Sequence, residues 1–482
     1  MLIAAQPNTL FKPGRNCYRA TSARRAALLV DGDAYFRAFA HAALRARHSI
    51  IIVGWDFHSQ TRLHLNAPGV PDLLGDFLNF LVGRNRRLRV YILAWDYPLV
   101  FAKGREPPVG SEDGWQAHRG ITFHYDGNCP LRGALHQKIV VIDGTVAFCG
   151  GMDLTVGRWD TPAHEWCDSH RTNVGETEPY APVHDVMLIV DSGAARALHS
   201  IASERWREAT GRALPTAVTR SDPWPESVVP ILADVTVGVA RTVPAWGDRA
   251  AIAEVESLYL DMIAAAKRFI YIENQYFTAK SLGEALAARL AEPNGPEIIA
   301  VLRLASPGWL EEPTMTALRS ELLRKLRDAD LHGRFRAWYP DTPGQPCCDV
   351  HSKLMVVDDE WLRVGSANFA NRSMGLDTEC DLVVEARRDP AKRAGIAAAR
   401  NALLAEHLGV APHEVEDVFA LSGSLRATVE SLAGRSGRTL RPFEQLDTPS
   451  SAILALATGV ADPECAPVVT GELPVPATAA SP

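Results

Sequence analysis

His136-Gln-Lys-Ile-Val-Val-Ile-Asp143 and His351-Ser-Lys-Leu-Met-Val-Val-Asp358 are the same pattern, H-x-K-x-x-x-x-D, written twice at a separation of 215 residues. A repeat at such a period points to a duplicated domain. Past each copy the alignment runs on without a gap, so that Gly150 falls on Gly365 and Asp153 on Asn368. Upstream, helix-like residues 33–47 lead into the strand-like Ile50-Ile-Ile-Val53 and then Gly54-Trp55-Asp56-Phe57. Residues 251–267 likewise lead into Phe269-Ile-Tyr-Ile272 and Glu273-Asn-Gln-Tyr-Phe277. A further strand follows in each half, Leu88 to Leu93 and Glu297 to Leu302. Downstream, Asp185-Val-Met-Leu-Ile-Val matches Glu379-Cys-Asp-Leu-Val-Val, each an acid opening an apolar strand.

Strands alternating with helices predict α/β layers, arranged as two similar α-β-α sandwich domains related by a pseudo-twofold duplication. Residues 1–214 form the first half and 229–446 the second. The linker is placed at 215–228, where Pro215, Pro223 and Pro225 break regular structure. From Asp447 to 482 the chain is rich in Pro, Ala, Thr and Val and is expected to be loosely ordered or draped on the surface.

Composition narrows the class. A hydrophobic fraction of 47% with 22% charged residues is that of a globular protein with ample core. The net charge of −7 gives no electrostatic footprint for nucleic acid. No apolar run approaches the roughly 20 residues that span a bilayer, and no signal peptide opens the chain. The expected location is therefore cytoplasmic or peripheral on a membrane, with signal-less export compatible. Eight scattered cysteines without a C-x-x-C pair argue neither for a zinc site nor for a disulfide framework. The 8 lysines against 42 arginines suggest a GC-rich bacterial genome.

Two of only 8 lysines fall inside the repeated motif, and chance would give one such match with a probability on the order of a few per cent. On a strand, alternate side chains share a face, so His136 and Lys138 project together, as do His351 and Lys353. A phosphodiester needs from a metal-free site a nucleophile, an acid for the leaving oxygen and fixed positive charge for the nonbridging oxygens. Two His-x-Lys entrances brought together supply two imidazoles and two ammonium groups. One imidazole attacks phosphorus while the other protonates the leaving alcohol, and the roles reverse when water or another alcohol attacks the phosphohistidine. Each imidazole needs a carboxylate on its far nitrogen, and Asp185 and Glu379 are the duplicated candidates, with Asp168 the next acid in line. His184 has Thr378 as its counterpart and stays outside the catalytic set. Trp55, Trp95, Tyr276 and Phe277 are candidates for core or pocket wall and equally for headgroup readers, and Ser306-Pro-Gly-Trp-Leu310 either packs locally or dips into a membrane interface.

These residues resemble the phospholipase D superfamily, over roughly residues 20 to 410. The eukaryotic-type enzymes are the nearest in kind, through Gly151-Met-Asp-Leu-Thr-Val-Gly-Arg-Trp-Asp-Thr-Pro, Val183-His-Asp-Val and Ile270-Tyr-Ile-Glu-Asn-Gln-Tyr-Phe. The resemblance implies a lipid phosphodiesterase with no metal or organic cofactor in the chemical step. It further implies His136 as nucleophile, His351 as acid and base, Lys138 and Lys353 on the phosphate, Asp143 and Asp358 as supports of the motif's turn, and Asp153 and Asn368 lining the site. The expected partners are a phospholipid at a membrane surface and a water or alcohol acceptor, with no nucleic acid and no obligate homodimer. No calcium-binding lipid module precedes the first half, so the core is expected to find lipid by itself. A phosphatidyltransferase of the cardiolipin synthase kind, a nuclease and an inactive lipid-binding scaffold are the rival readings.

Overall fold

A computed structural model describes residues 9–96, 106–214, 221–305, 311–435, 437–444, 446 and 449–463. In the first half, strands β1 (Arg19–Val30), β2 (Ser49–Gly54), β3 (Arg89–Trp95), β4 (Ile121–Asp126), β5 (Ile139–Ile142), β6 (Val146–Gly150), β7 (Val183–His184) and β8 (Val186–Asp191) interleave with helices α1 (Asp31–Leu44), α2 (Leu74–Arg84) and α3 (Ser192–Thr210). The second half repeats the plan with β9 (Leu232–Val243), β10 (Ile252–Ala253), β11 (Phe269–Asn274), β12 (Glu297–Leu302), β13 (Phe335–Asp341), β14 (Asp349–Val350), β15 (Lys353–Val357), β16 (Trp361–Gly365), β17 (Glu379–Glu385) and β18 (Thr439–Pro442). Its helices are α4 (Glu254–Ala265), α5 (Lys280–Ala291), α6 (Glu311–Ala329), α7 (Asn371–Gly375), α8 (Pro390–Leu408), α9 (Pro412–Ser422), α10 (Leu425–Leu432) and α11 (Ser451–Leu456).

The duplication is visible in the sheet order. Outward from β1 run β8, β6, β5, β2, β3 and β4; outward from β9 run β17, β16, β15, β11, β12, β13 and β18. The two series meet where β1 and β9 pair antiparallel, Thr21 opposite Val237, so the halves share one continuous sheet with the pseudo-twofold axis between those strands. In each half the strand before the motif pairs parallel with its successor and antiparallel with the motif strand. Parallel pairing needs a crossover, which α2 and α5 provide. Strands buried on both faces read as unbroken apolar runs, as Ile139-Val-Val-Ile142 does, and β-branched side chains fit that pleated environment. Along β2, Ile51 and Val53 join a core roofed by α3 and α8–α10, while Ile50 and Ile52 face α1 and α2 on the other side. In the second half α4–α6 take the place of α1 and α2.

The aspartates that close the two motifs lie at the far end of their strands, about 20 Å from the histidines at 3.3 Å per residue. Both have positive φ, 53° at Asp143 and 55° at Asp358. Asp143 accepts the backbone N–H groups of Arg47, His48 and Ser49, together with the Ser221 hydroxyl. Asp358 accepts those of Lys267, Arg268 and Phe269. They anchor the starts of β2 and β11, at the opposite end of the motif strand from the histidines, so their part in the H-x-K-x-x-x-x-D pattern is structural and not catalytic. Alanine at either position leaves three amide donors without their carboxylate, and charge-assisted bonds of this kind contribute about 1.5–3 kcal/mol each. Allowing water to replace part of them, Asp143→Ala and Asp358→Ala are each expected to cost about 2–4 kcal/mol. Denaturation midpoints check this: a midpoint unchanged from the parent would refute the anchoring role.

Of the tail, residues 449–463 are described, and they lie on the surface against α6. Ser451–Leu456 is helical, and Asp462 is fully buried. Its carboxylate accepts from the Thr278 hydroxyl and from the Asn371 and Arg372 amides at the start of α7. A capping acid at a helix start is a local device that Pro/Ala-rich composition conceals. The Ser306–Leu310 segment lies outside the described residues, as do residues 215–220 of the linker.

Candidate active site

The polar entrances of the two motifs come together through backbone hydrogen bonds that cross between the halves. The His136 amide donates to the Thr378 carbonyl, and the His351 amide donates to the His184 carbonyl, at 3.0 and 2.8 Å. Thr378 and His184 each directly precede an acid, Glu379 and Asp185, so each acid is delivered to the opposite half's histidine. His136 Nδ1 lies 3.0 Å from Glu379 Oε2, and His351 Nδ1 lies 2.6 Å from Asp185 Oδ2. A carboxylate at that distance requires a proton on Nδ1, which leaves each Nε2 free for chemistry. The strand proper begins only at Ile139 in the first half and at Lys353 in the second. The histidines sit just before it because their amides are committed to the other half.

The surroundings of the two acids differ. Glu379 accepts the Ser366 and Ser373 hydroxyls as well as His136. At the position equivalent to Ser366 the first half carries Gly151, where a Cβ would lie 2.1 Å from Asp185 Oδ1. Only glycine allows Asp185 to approach so closely. The lysines differ too. Lys138 pairs with Asp153 at 3.0 Å, whereas Lys353 donates to Gln275 Oε1 at 2.9 Å and stands 3.1 Å from His351 Nδ1. Asp153 also accepts the Trp55 amide, and Asn368 is nearly buried with its amide donating to the Ser373 hydroxyl. Asp168 caps a short turn and binds His170, and neither His136 nor His351 is its hydrogen-bond partner among the described residues. Phe277 is core, stacked on Phe369, while half-buried Trp55 packs on Trp95 beside Leu135, next to His136. Gln275, Ser366, Ser373, and the Arg158 and Arg303 charges that act on His351 were not singled out by sequence. Gln275 and Ser366 carried a signal, since both lie in the repeated segments.

Burial, reinforced by Lys138 and Lys353, holds His136 well below the usual imidazole range. Burial, then Lys353 and Arg158, does the same to His351. Each histidine feels the other half's lysine, which marks the four groups as one electrostatic unit. Burial pushes the Glu379 carboxyl up against the opposing hydroxyl bonds. It pushes Asp185 up to about 7 and pulls the Lys353 ammonium down to about 7, each opposed chiefly by the other.

A pH dependence follows. The Lys353 positive charge is present below about 7 and lost above it, whereas the Asp185 negative charge is absent below about 7 and gained above it. A reaction needing both has a narrow bell-shaped kcat/KM with its maximum near neutrality, the apparent values belonging to the coupled set. Lys353→Arg, whose charge does not titrate, is expected to lose the alkaline limb at a reduced rate. Rates on a monomeric soluble phosphodiester check this; a plateau extending about two pH units to each side of neutrality would exclude the pairing of those two groups.

A family model described as Phospholipase D matches residues 133–286 and 345–458, and one described as Cardiolipin synthase, PLD-like domain, matches residues 259–394. Phospholipase D alpha 1 of Zea mays is 25% identical over 78% of this chain and 63% of its own length. Phospholipase D A of Dictyostelium discoideum is 25% identical over 72% of this chain and 32% of its own. The chain thus spans less than two thirds of the length of these curated relatives. Among solved structures, phosphatidylserine synthase from Haemophilus influenzae aligns with a TM-score of 0.56 at 12% identity, over 86% of this chain and 96% of that one. That likeness is one of fold.

Proposed function

The chain belongs to the phospholipase D superfamily, and from that premise we propose that it is a phospholipase D, cleaving glycerophospholipids to phosphatidate and the free headgroup alcohol. The observation that carries the reading is the crossed pair of carboxylate-held imidazoles, each with a free Nε2, between two lysines.

His136 Nε2 attacks phosphorus in line. The bond from phosphorus to the headgroup oxygen breaks as His351, which enters this step as the imidazolium favoured by Asp185 and the bound anionic phosphodiester, gives that oxygen its Nε2 proton. Water then loses a proton to His351 and attacks the phosphohistidine, releasing phosphatidate and restoring His136. Lys138 and Lys353 face the charge growing on the nonbridging oxygens, and Asp185 stabilises the His351 imidazolium. An alcohol in place of water gives the transferred phosphatidyl ester by the same step. The match to the cardiolipin synthase-type model over residues 259–394 favours transfer as the second reading. Both motifs come from one chain, so the reaction calls for no second copy. Among the described residues no helix is long and apolar enough to cross a membrane, and the substrate is met at a lipid surface.

Thin-layer analysis of defined phospholipids with and without ethanol tests the reading. Phosphatidate without ethanol and phosphatidylethanol with it are expected. Cleavage of nucleic acid or of a simple aryl diester, with every phospholipid left intact, would overturn it.

A further inference from the structure

Behind Asp185, away from the lysines, lies a second buried cluster that the phosphodiester reaction does not use. Its members are Asp31 at the start of α1, His164, His184 of β7 and Glu406 of α8, all with side chains at most 5% exposed. Their ligand atoms lie within 4.8 Å of one another. We infer that these four side chains bind one divalent metal ion of the zinc type, clamping the first half of the chain to the second.

The argument is one of lone pairs. His164 Nδ1 is 2.9 Å from Asp160 Oδ2, and His184 Nε2 is 2.9 Å from Glu273 Oε2. Each buried carboxylate holds a proton on the nitrogen it faces, and the other nitrogen of each ring faces a second carboxylate, so that nitrogen carries either a further proton or a metal ion. Histidines that ligate metals are held in this way by carboxylates on their far nitrogens. Among the described residues the inward atoms face carboxylates, and the Cys348 thiol also lies within hydrogen-bonding reach of His164. His184 Nδ1 is 2.6 Å from Glu406 Oε1 and 3.1 Å from Asp31 Oδ1; His164 Nε2 is 3.0 Å from Glu406 Oε1 and 3.8 Å from Asp31 Oδ2. Among the described residues, His184 Nδ1 and Asp31 Oδ2 are buried without a well-aligned hydrogen-bond partner. Four electron pairs facing one another repel unless a cation, or additional protons, stand between them. Bonds of 2.0–2.1 Å in a tetrahedron set its ligands about 3.3 Å apart, close to the spacing found here. The charge agrees: four carboxylates, Asp31, Asp160, Glu273 and Glu406, have, among the described residues, one buried arginine, Arg171 beside Asp160, and one further buried histidine, His407 beside Glu273. Two imidazoles with two carboxylates suit zinc, and the closed, buried set suits a structural ion.

Glu406 comes from the second half and the other three ligands from the first. The His184 carbonyl also accepts the His351 amide, so the ion fixes the peptide that delivers Asp185. The sites remain separate, and the metal is read by mass and by melting whatever the chain cleaves.

The experiment uses the untagged full chain purified without chelator, with elemental analysis by plasma mass spectrometry. About one zinc per chain is expected, and stripping with dipicolinate is expected to lower the melting temperature reversibly, zinc restoring it. Asp31→Asn and Glu406→Gln, which keep shape and remove charge, are expected to hold only traces. Asp160→Asn is expected to weaken zinc affinity about 10–100-fold in competition with a chromophoric chelator. A wild-type chain that carries no divalent metal and gains neither bound ion nor stability on zinc addition overturns the inference, and assigns the cluster to protonated histidines. Unchanged metal content in both Asp31→Asn and Glu406→Gln overturns the location.

Discussion

His136→Ala is expected to abolish turnover, by about four orders of magnitude or more, and to form no covalent adduct, while His351→Ala is expected to be equally inactive in turnover yet to trap one phosphoryl group. The difference follows from the division of labour between two imidazoles that the crossed hydrogen bonds leave with free Nε2 atoms. Without His136 there is no nucleophile. Without His351 the nucleophile stands, but an alkoxide leaving group has no proton donor and water has no base. An aryl diester relieves the first difficulty, because p-nitrophenolate departs without protonation. His351→Ala should therefore release one equivalent of p-nitrophenol in a burst and then stop. Intact-mass spectrometry shows the adduct directly. Adduct on His136→Ala, with none on His351→Ala, reverses the assignment. His136 is the more open of the two, with 16% of its side chain exposed against 8%, as befits the group that meets phosphorus first.

The repeat was legible because duplication is written in one dimension. Matching His136 to His351 and Gly150 to Gly365 needs no knowledge of contacts, and from it came the α/β class, the paired halves and the strands that carry the motifs. What lay beyond reach was the third dimension. That Asp185 serves His351, and not the histidine of its own half, depends on β1 pairing with β9 and on the peptides of Thr378 and His184 reaching across. Alignment of two halves cannot distinguish pairing within a half from pairing between halves, since both preserve the repeat. Asp143 and Asp358 share the motif with the histidines but sit a strand's length away, because a strand carries chemistry at one end only. Asp31, His164, His184 and Glu406 have no spacing signature, being spread over 376 positions and gathered by α1, β7 and α8. Nor does the tail announce Asp462, whose function as a cap rests on a single carboxylate among small residues.

The crossed arrangement makes a second large effect expected, and its pattern is more informative than its size. Asp185→Asn and Glu379→Gln should each lower kcat by about three orders of magnitude, since an amide neither fixes the imidazole proton nor stabilises the imidazolium. Glu379→Gln carries an additional penalty. Its carboxylate accepts from His136, Ser366 and Ser373 together, and an amide nitrogen must face at least one of those donors. The two substitutions strike different steps. Glu379 supports His136, so Glu379→Gln should slow the p-nitrophenol burst itself. Asp185 supports His351, so Asp185→Asn should leave the burst with an aryl leaving group close to wild type while abolishing cleavage of an alkyl headgroup and hydrolysis of the adduct. Introduced into His351→Ala, Asp185→Asn should cost little more, because contacting residues that act as a unit are not additive. Introduced into His136→Ala, it should find no adduct to affect. Pairing within each half predicts the reverse: Asp185→Asn would suppress the burst and Glu379→Gln would spare it. Burst amplitude and rate, measured on both variants with aryl and alkyl diesters after circular dichroism has verified folding, therefore decide which acid serves which histidine.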